Sequence, residues 1–171
     1  MCSRFQSVRL DDDLKRFYKA VSTGGLPPEL KKDVFPGYTA PFIRRPREWG
    51  SGGDAVPARE AMVGVFGLLP HWAKDAKFTK STYNARSETV AGKPAFRDAW
   101  RTAKHCIVPA WAFYEPDWRS GKHIPTRIAR ADGQPLGIAG LRDWHGYGPG
   151  FRPWTFSIKT VLLRSRYPAW S

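Results

Sequence analysis

At 171 residues, with 42% hydrophobic and 14% aromatic side chains, the chain can bury about 70% of its unfolded surface as one domain, which excludes a disordered segment. Its two cysteines exclude a disulfide framework or a cysteine metal cluster, and no apolar run approaches the ~20 residues of a membrane span. The net charge of +13 costs self-repulsion and points to a polyanionic partner, nucleic acid first, against the alternative of a merely soluble basic surface.

The charge is unevenly placed. Residues 1–60 hold 11 Lys/Arg against 8 Asp/Glu, whereas residues 61–171 hold 17 against 7. The start lacks the basic and apolar regions of a signal peptide, so the cytoplasm is the expected compartment.

The chain begins Met1-Cys2-Ser3-Arg4-Phe5. Removal of Met1 ahead of a small side chain would leave Cys2 with a free α-amine beside its thiol. Amine and thiol titrate near ~8 and ~8.5, so both are partly nucleophilic at neutral pH. Such a pair can capture an aldehyde twice, as an imine and then as a five-membered thiazolidine. The competing reading is a cysteine of no consequence at position 2.

Asp11-Asp12-Asp13, followed by Leu14, Phe17, Tyr18 and Val21, predicts a short helix with acidic residues at its positive end. Residues 34–45, VFPGYTAPFIRR, are broken by prolines and read as an edge strand or ordered loop. Gly50 to Asp54 read as a flexible surface loop, not a domain boundary. Residues 61–69, AMVGVFGLL, predict a buried strand that Pro70-His71-Trp72 ends. A polar connection follows, in which Lys74, Lys77 and Lys80 alternate with Phe78 and Tyr83.

Residues 94–102, PAFRDAWRT, predict a short helix with Phe96 and Trp100 on one face. Residues 106–114, CIVPAWAFY, predict a central strand that Glu115-Pro116 terminates. Residues 125–131, 135–144 and 154–163 are further strand candidates between glycine-rich turns. Many strands with few short helices imply an α+β fold with a largely antiparallel, barrel-like core.

Three features can carry chemistry. In an extended Tyr83–Glu88 stretch, Asn84, Arg86 and Glu88 would share one face, able to hold a phosphate or orient a carbonyl; a solvated strand face is the plainer reading. Glu115 follows an apolar run, where burial would raise its pKa toward that of a proton shuttle; a structural pair with an arginine is the alternative. Trp72, ahead of the lysine-rich connection, suits a groove where unpaired bases stack, or else belongs to the core.

The segments MCSRF, GYTAP (37–41), GLLPHWAK (67–74), NARSET (84–89), CIVPAWAFYEP (106–116) and ARADGQPLGIAGL (129–141) together resemble the SOS response-associated peptidase family. These proteins are also described as abasic-site processing proteins. The resemblance runs in order from residue 1 to about residue 160. It implies a single domain over residues 1–171, autocatalytic removal of Met1, and a thiazolidine crosslink between Cys2 and the aldehyde of an abasic site in single-stranded DNA. It further implies that Asn84 positions the opened sugar, that Glu115 is the acid/base carboxylate, and that Arg4, Trp72 and Arg86 contact DNA.

No metal or cofactor is expected. The expected partner is single-stranded DNA containing abasic sites, bound by a monomer associated with the nucleoid. The family also carries a histidine shortly after the strand that here ends near Thr160, and none follows in VLLRSRYPAWS. The sequence is therefore expected to lack the family's later elements, to react slowly for want of that acid/base group, and to leave an uncovered edge. A non-catalytic single-strand binder and a peptidase acting in trans are the competing functions.

Overall fold

The computed structural model describes residues 3–22, 25–46, 56–144 and 154–160. The expected loop at residues 50–54 lies outside them, as do Met1 and Cys2. Among the described residues ten strands form one sheet: β1 (Arg4–Ser7), β2 (Val21–Ser22), β3 (Asp33–Val34), β4 (Thr39–Arg44), β5 (Glu60–Phe66), β6 (Asn84–Arg86), β7 (His105–Asp117), β8 (Ile124–Ile128), β9 (Leu136–Trp144) and β10 (Trp154–Thr160). Two short α-helices accompany them, α1 (Asp11–Tyr18) and α2 (Arg97–Arg101), with a 3-10 helix over Ala76–Ser81.

Five strands close on themselves. β4 pairs with β5, β5 with β10, β10 with β9, β9 with β7, and β7 returns to β4 through Ile43 opposite Ile107. Closure removes the free edges that an open sheet would present. All the pairs around the ring are antiparallel except β5 with β10, so the expected largely antiparallel, barrel-like α+β fold is borne out.

Two expectations are corrected. Residues 39–44 are a barrel strand, not an edge strand or loop: β4 pairs with β5 over six positions. Pro41 is tolerated because β7 meets β4 only at Ile43, so the missing N–H falls where a second partner is absent. Glu115-Pro116 also does not end β7, which runs to Asp117 with Glu115 opposite Thr126 and Pro116 opposite Pro125. Facing prolines concentrate both missing donors at a single rung.

Four fully buried phenylalanines fill the barrel. Phe66 stacks on Phe156 at 5.6 Å, Phe5 meets Phe66 edge-on at 5.2 Å, and Phe42 lies 5.7 Å from Phe156. Deleting the ring in Phe66→Ala leaves a cavity shared by three strands. The expected loss is about 3–5 kcal/mol of unfolding free energy, read from denaturant titration.

The helix α1 packs on the outer face of the barrel, where Leu14 and Tyr18 cluster with Ile43, Ala61 and Trp111 of β4, β5 and β7. Its first turn carries Asp11, Asp12 and Asp13 as expected, and Leu14 and Tyr18 turn inward. The Tyr18 hydroxyl donates to the Leu136 carbonyl oxygen at 2.8 Å, and burial pushes its pKa up to about 12. A folded pKa above the ordinary ~10 means that the fold favours the protonated phenol. Stability is therefore complete below pH ~10 and falls as the pH rises from there toward 12. Tyr18→Phe is expected to remove that alkaline component from the pH dependence of the melting temperature.

Candidate functional site

Strand β6 lies parallel to β10, with Asn84 opposite Ile158 and Arg86 opposite Thr160. Ala85 between them is fully buried, so Asn84 and Arg86 share the other face of the strand. The strand stops there because the Arg86 carbonyl accepts from the N–H groups of Thr89 and Val90, at 3.2 and 2.9 Å. Glu88 consequently lies in a turn, and the expected three-residue row is a two-residue one.

Trp72 stands in the tight turn closed by Ala73 N–H donating to the Pro70 carbonyl at 2.9 Å. It is 45% exposed and meets Phe78 edge-on at 5.2 Å. The core reading of this tryptophan is thus excluded. Phe78 belongs to the 3-10 helix that lies within the expected polar connection; Asp75 caps it by accepting from Lys77 N–H at 2.8 Å. Gly67 lets that helix approach the barrel: its φ is +125°, and a Cβ there would fall 2.1 Å from the Thr79 carbonyl oxygen.

Trp72, Phe78, Asn84, Arg86, Lys93 and Phe96 line one cleft of about 570 Å³. Three aromatic side chains, two cations and an amide thus converge on a space that would hold a nucleotide. Lys93 was not singled out by the sequence. It sits in the turn ahead of α2, and its only local signal is the Gly92-Lys93-Pro94 punctuation.

Arg4 and Glu115 lie on the β1–β7 strand pair and do not line that cleft. The antiparallel register puts Arg4 opposite Tyr114, and the guanidinium sits 4.2 Å from the Tyr114 ring centroid. Arg4 Nε and one terminal nitrogen donate to Asp33 Oδ1 at 3.0 and 2.9 Å. Aromatic and carboxylate together fix the plane of this cation. Glu115 is half-buried rather than enclosed by apolar residues, with Thr126 of β8 opposite it.

A single ring connects the two groups. Phe66 touches Phe5, the residue after Arg4, and at 5.8 Å also Tyr83, the residue before Asn84. Strands β1 and β6 are therefore positioned from the same core side chain. Among the described residues no three His, Cys, Asp or Glu side chains gather as a metal site would need. No helix among them is long and apolar enough to cross a membrane.

His71 is exposed and lies 3.9 Å from Asp98. His105 meets Trp100 and His123 meets Trp118 edge-on. None of the three lines the cleft. The free thiol of Cys106 is buried among core residues, and desolvation pushes its pKa up to about 12.

Comparison with known proteins places these observations in a family. The chain is 40% identical over 99 residues to the abasic site processing protein YoaM of Bacillus subtilis, a stretch that is 56% of this chain and 42% of that protein. It is 32% identical over 79 residues to the abasic site processing protein HMCES of Gallus gallus, covering 44% of this chain and 24% of that one. The matched region thus spans less than half the length of these curated relatives.

A crystal structure of a Bordetella bronchiseptica protein superposes with a TM-score of 0.75 at 38% identity, covering 99% of this chain and 80% of that one. The sequence profile of the SOS response associated peptidase (SRAP) family matches residues 1–163. The chain belongs to that family.

Proposed function

We propose that this protein is a sensor of abasic sites in single-stranded DNA that crosslinks covalently through Cys2 after removing its own Met1. The observation that carries the reading is the convergence of Trp72, Asn84 and Arg86 on one cleft. Phe66, which touches both Phe5 and Tyr83, links the strand that leads back to Cys2 with the strand that carries Asn84. Cys2 is two residues before Arg4, a span of about 7 Å at most, and Arg4 is registered opposite the neighbour of Glu115. The relatives named as abasic site processing proteins add to it.

The chemistry balances without a cofactor. The α-amine of Cys2 adds to the C1 aldehyde of the opened deoxyribose, and loss of one water gives an imine. The thiolate then adds to the imine carbon, forming the C–S bond, while the nitrogen takes a proton. Glu115 serves as the proton carrier for dehydration and ring closure. Asn84 orients the opened sugar by hydrogen bonding. Trp72 stacks on a base flanking the lesion, and Arg86 and Arg4 contact phosphates.

In this reading one domain spans residues 1–171, acts as a monomer in the cytoplasm at the nucleoid, and performs its peptidase step only on itself. Incubation with an abasic oligonucleotide, followed by a denaturing gel, tests the reading: a slow-migrating conjugate is expected, and its absence contradicts it. Salt-sensitive binding without a conjugate would instead favour the non-catalytic single-strand binder. Arg86→Ala is expected to weaken binding of undamaged single strands and to lower the slope of log K against log salt by about 0.7, the release from one phosphate of a single strand.

A further inference from the structure

The barrel has a second end. Strand β7 carries Glu115 near one end and His105 at the other, roughly 30 Å apart at about 3.3 Å per residue. At the His105 end a cavity of about 610 Å³ opens between the margins of β4, β5, β7 and β9. Four of its lining residues are arginines, Arg44, Arg45, Arg59 and Arg142, while Ile43 and Ile107 supply an apolar wall. Ile107 is 39% exposed.

Arg44 is the informative member. It ends β4 opposite Glu60 in the ladder, its side chain is 6% exposed, and one terminal nitrogen lies 2.7 Å from Glu60 Oε2. Its Nε and its other terminal nitrogen are buried with no hydrogen-bond partner among the described residues. Buried donors of a charged group are costly to leave unmet, and a ligand oxygen in the cavity would meet them.

The geometry is also preset. The Arg44 guanidinium lies 4.8 Å from the Trp154 ring centroid and that of Arg142 lies 5.5 Å from the same ring, which restrains both planes. Glu60 pairs with Arg44, Arg59 donates to the Tyr18 carbonyl oxygen at 2.7 Å, and the nearby Asp143 is engaged by Lys104. Four guanidinium groups thus line the cavity, with an apolar face beside them.

We propose that this cavity is a second binding site, for a phosphate-bearing nucleotide. The guanidinium groups take the phosphate, which their planar donor pairs match, and the isoleucine wall takes the base. The volume suits a ligand of that size. The phosphate comes either from a free nucleotide or from a residue of a nucleic-acid strand, and the chemistry of recognition is the same.

Calorimetric titration of the full chain at physiological salt tests this with four probes: inorganic pyrophosphate, a deoxynucleoside monophosphate, the same deoxynucleoside without phosphate, and undamaged oligothymidylate. Pyrophosphate and the monophosphate are expected to bind, and the deoxynucleoside is not. Arg44→Gln is expected to weaken them about tenfold or more, the loss of a charge-assisted hydrogen bond. Arg45→Glu, at the exposed rim, does the same by charge reversal without disturbing the core.

A response to oligothymidylate alone that Arg45→Glu weakens assigns the phosphate to a strand. The proposal is overturned if no phosphate probe binds, or if Arg45→Glu binds them all as the wild type does. No probe carries an aldehyde, so this outcome is independent of the crosslinking chemistry.

Discussion

Cys2→Ala is expected to reduce the covalent conjugate with abasic DNA to background. The chain has two cysteines, and the other cannot substitute. Cys106 is 6% exposed in the barrel core, and burial raises its thiol to about 12. At neutral pH it therefore stays a protonated thiol, out of reach of a DNA aldehyde. The alanine variant retains an α-amine that can form an imine, but without the thiol that bond hydrolyses and does not survive denaturation. A conjugate of wild-type abundance in Cys2→Ala contradicts the assignment.

Glu115→Gln is expected to slow conjugate formation by roughly 10²- to 10⁴-fold, the usual contribution of a positioned acid or base. Glutamine keeps the shape and the hydrogen-bonding capacity and removes the transferable proton. Affinity for undamaged single strands should not fall, because removing a negative charge from a basic groove does not weaken DNA binding. A quenched time course on denaturing gels, run beside a binding titration, separates the two effects. If rate and affinity fall together, Glu115 supports the fold of the β7–β8 hairpin and carries no proton.

How much of this was legible in the sequence follows from where the signals are local. The helix beginning at Asp11, the strand at residues 61–69 and the strand at residues 106–114 are continuous or periodic apolar patterns; all three elements are present, but β5 stops at Phe66 rather than at Pro70 and β7 runs on to Asp117. The barrel closure is not local. Phe66 pairs with Phe156, ninety residues on, in a parallel register that no turn residue announces. In residues 39–44 proline argues against a central strand, and only the three-dimensional placement of β7 relieves that objection.

The site divides in the same way. The motif around Asn84 and Arg86 and the exposed Trp72 were recognisable as residues, and their convergence on one cleft required coordinates. Glu88 was overextended from a strand rule, because the carbonyl of Arg86 is consumed by a turn. Asp33, which anchors Arg4 from 29 residues away, carries no sequence signal at all. The buried pair of Arg44 and Glu60 was equally silent, since the two residues become neighbours only when β4 and β5 zip together.

The most direct measurement is peptide mapping by mass spectrometry of the nuclease-trimmed conjugate with abasic DNA. The account predicts a terminal peptide that begins at Cys2, lacks Met1, and carries the sugar remnant minus one water. An adduct mapped to a lysine or to Cys106, or a conjugated peptide that still begins with Met1, would contradict it.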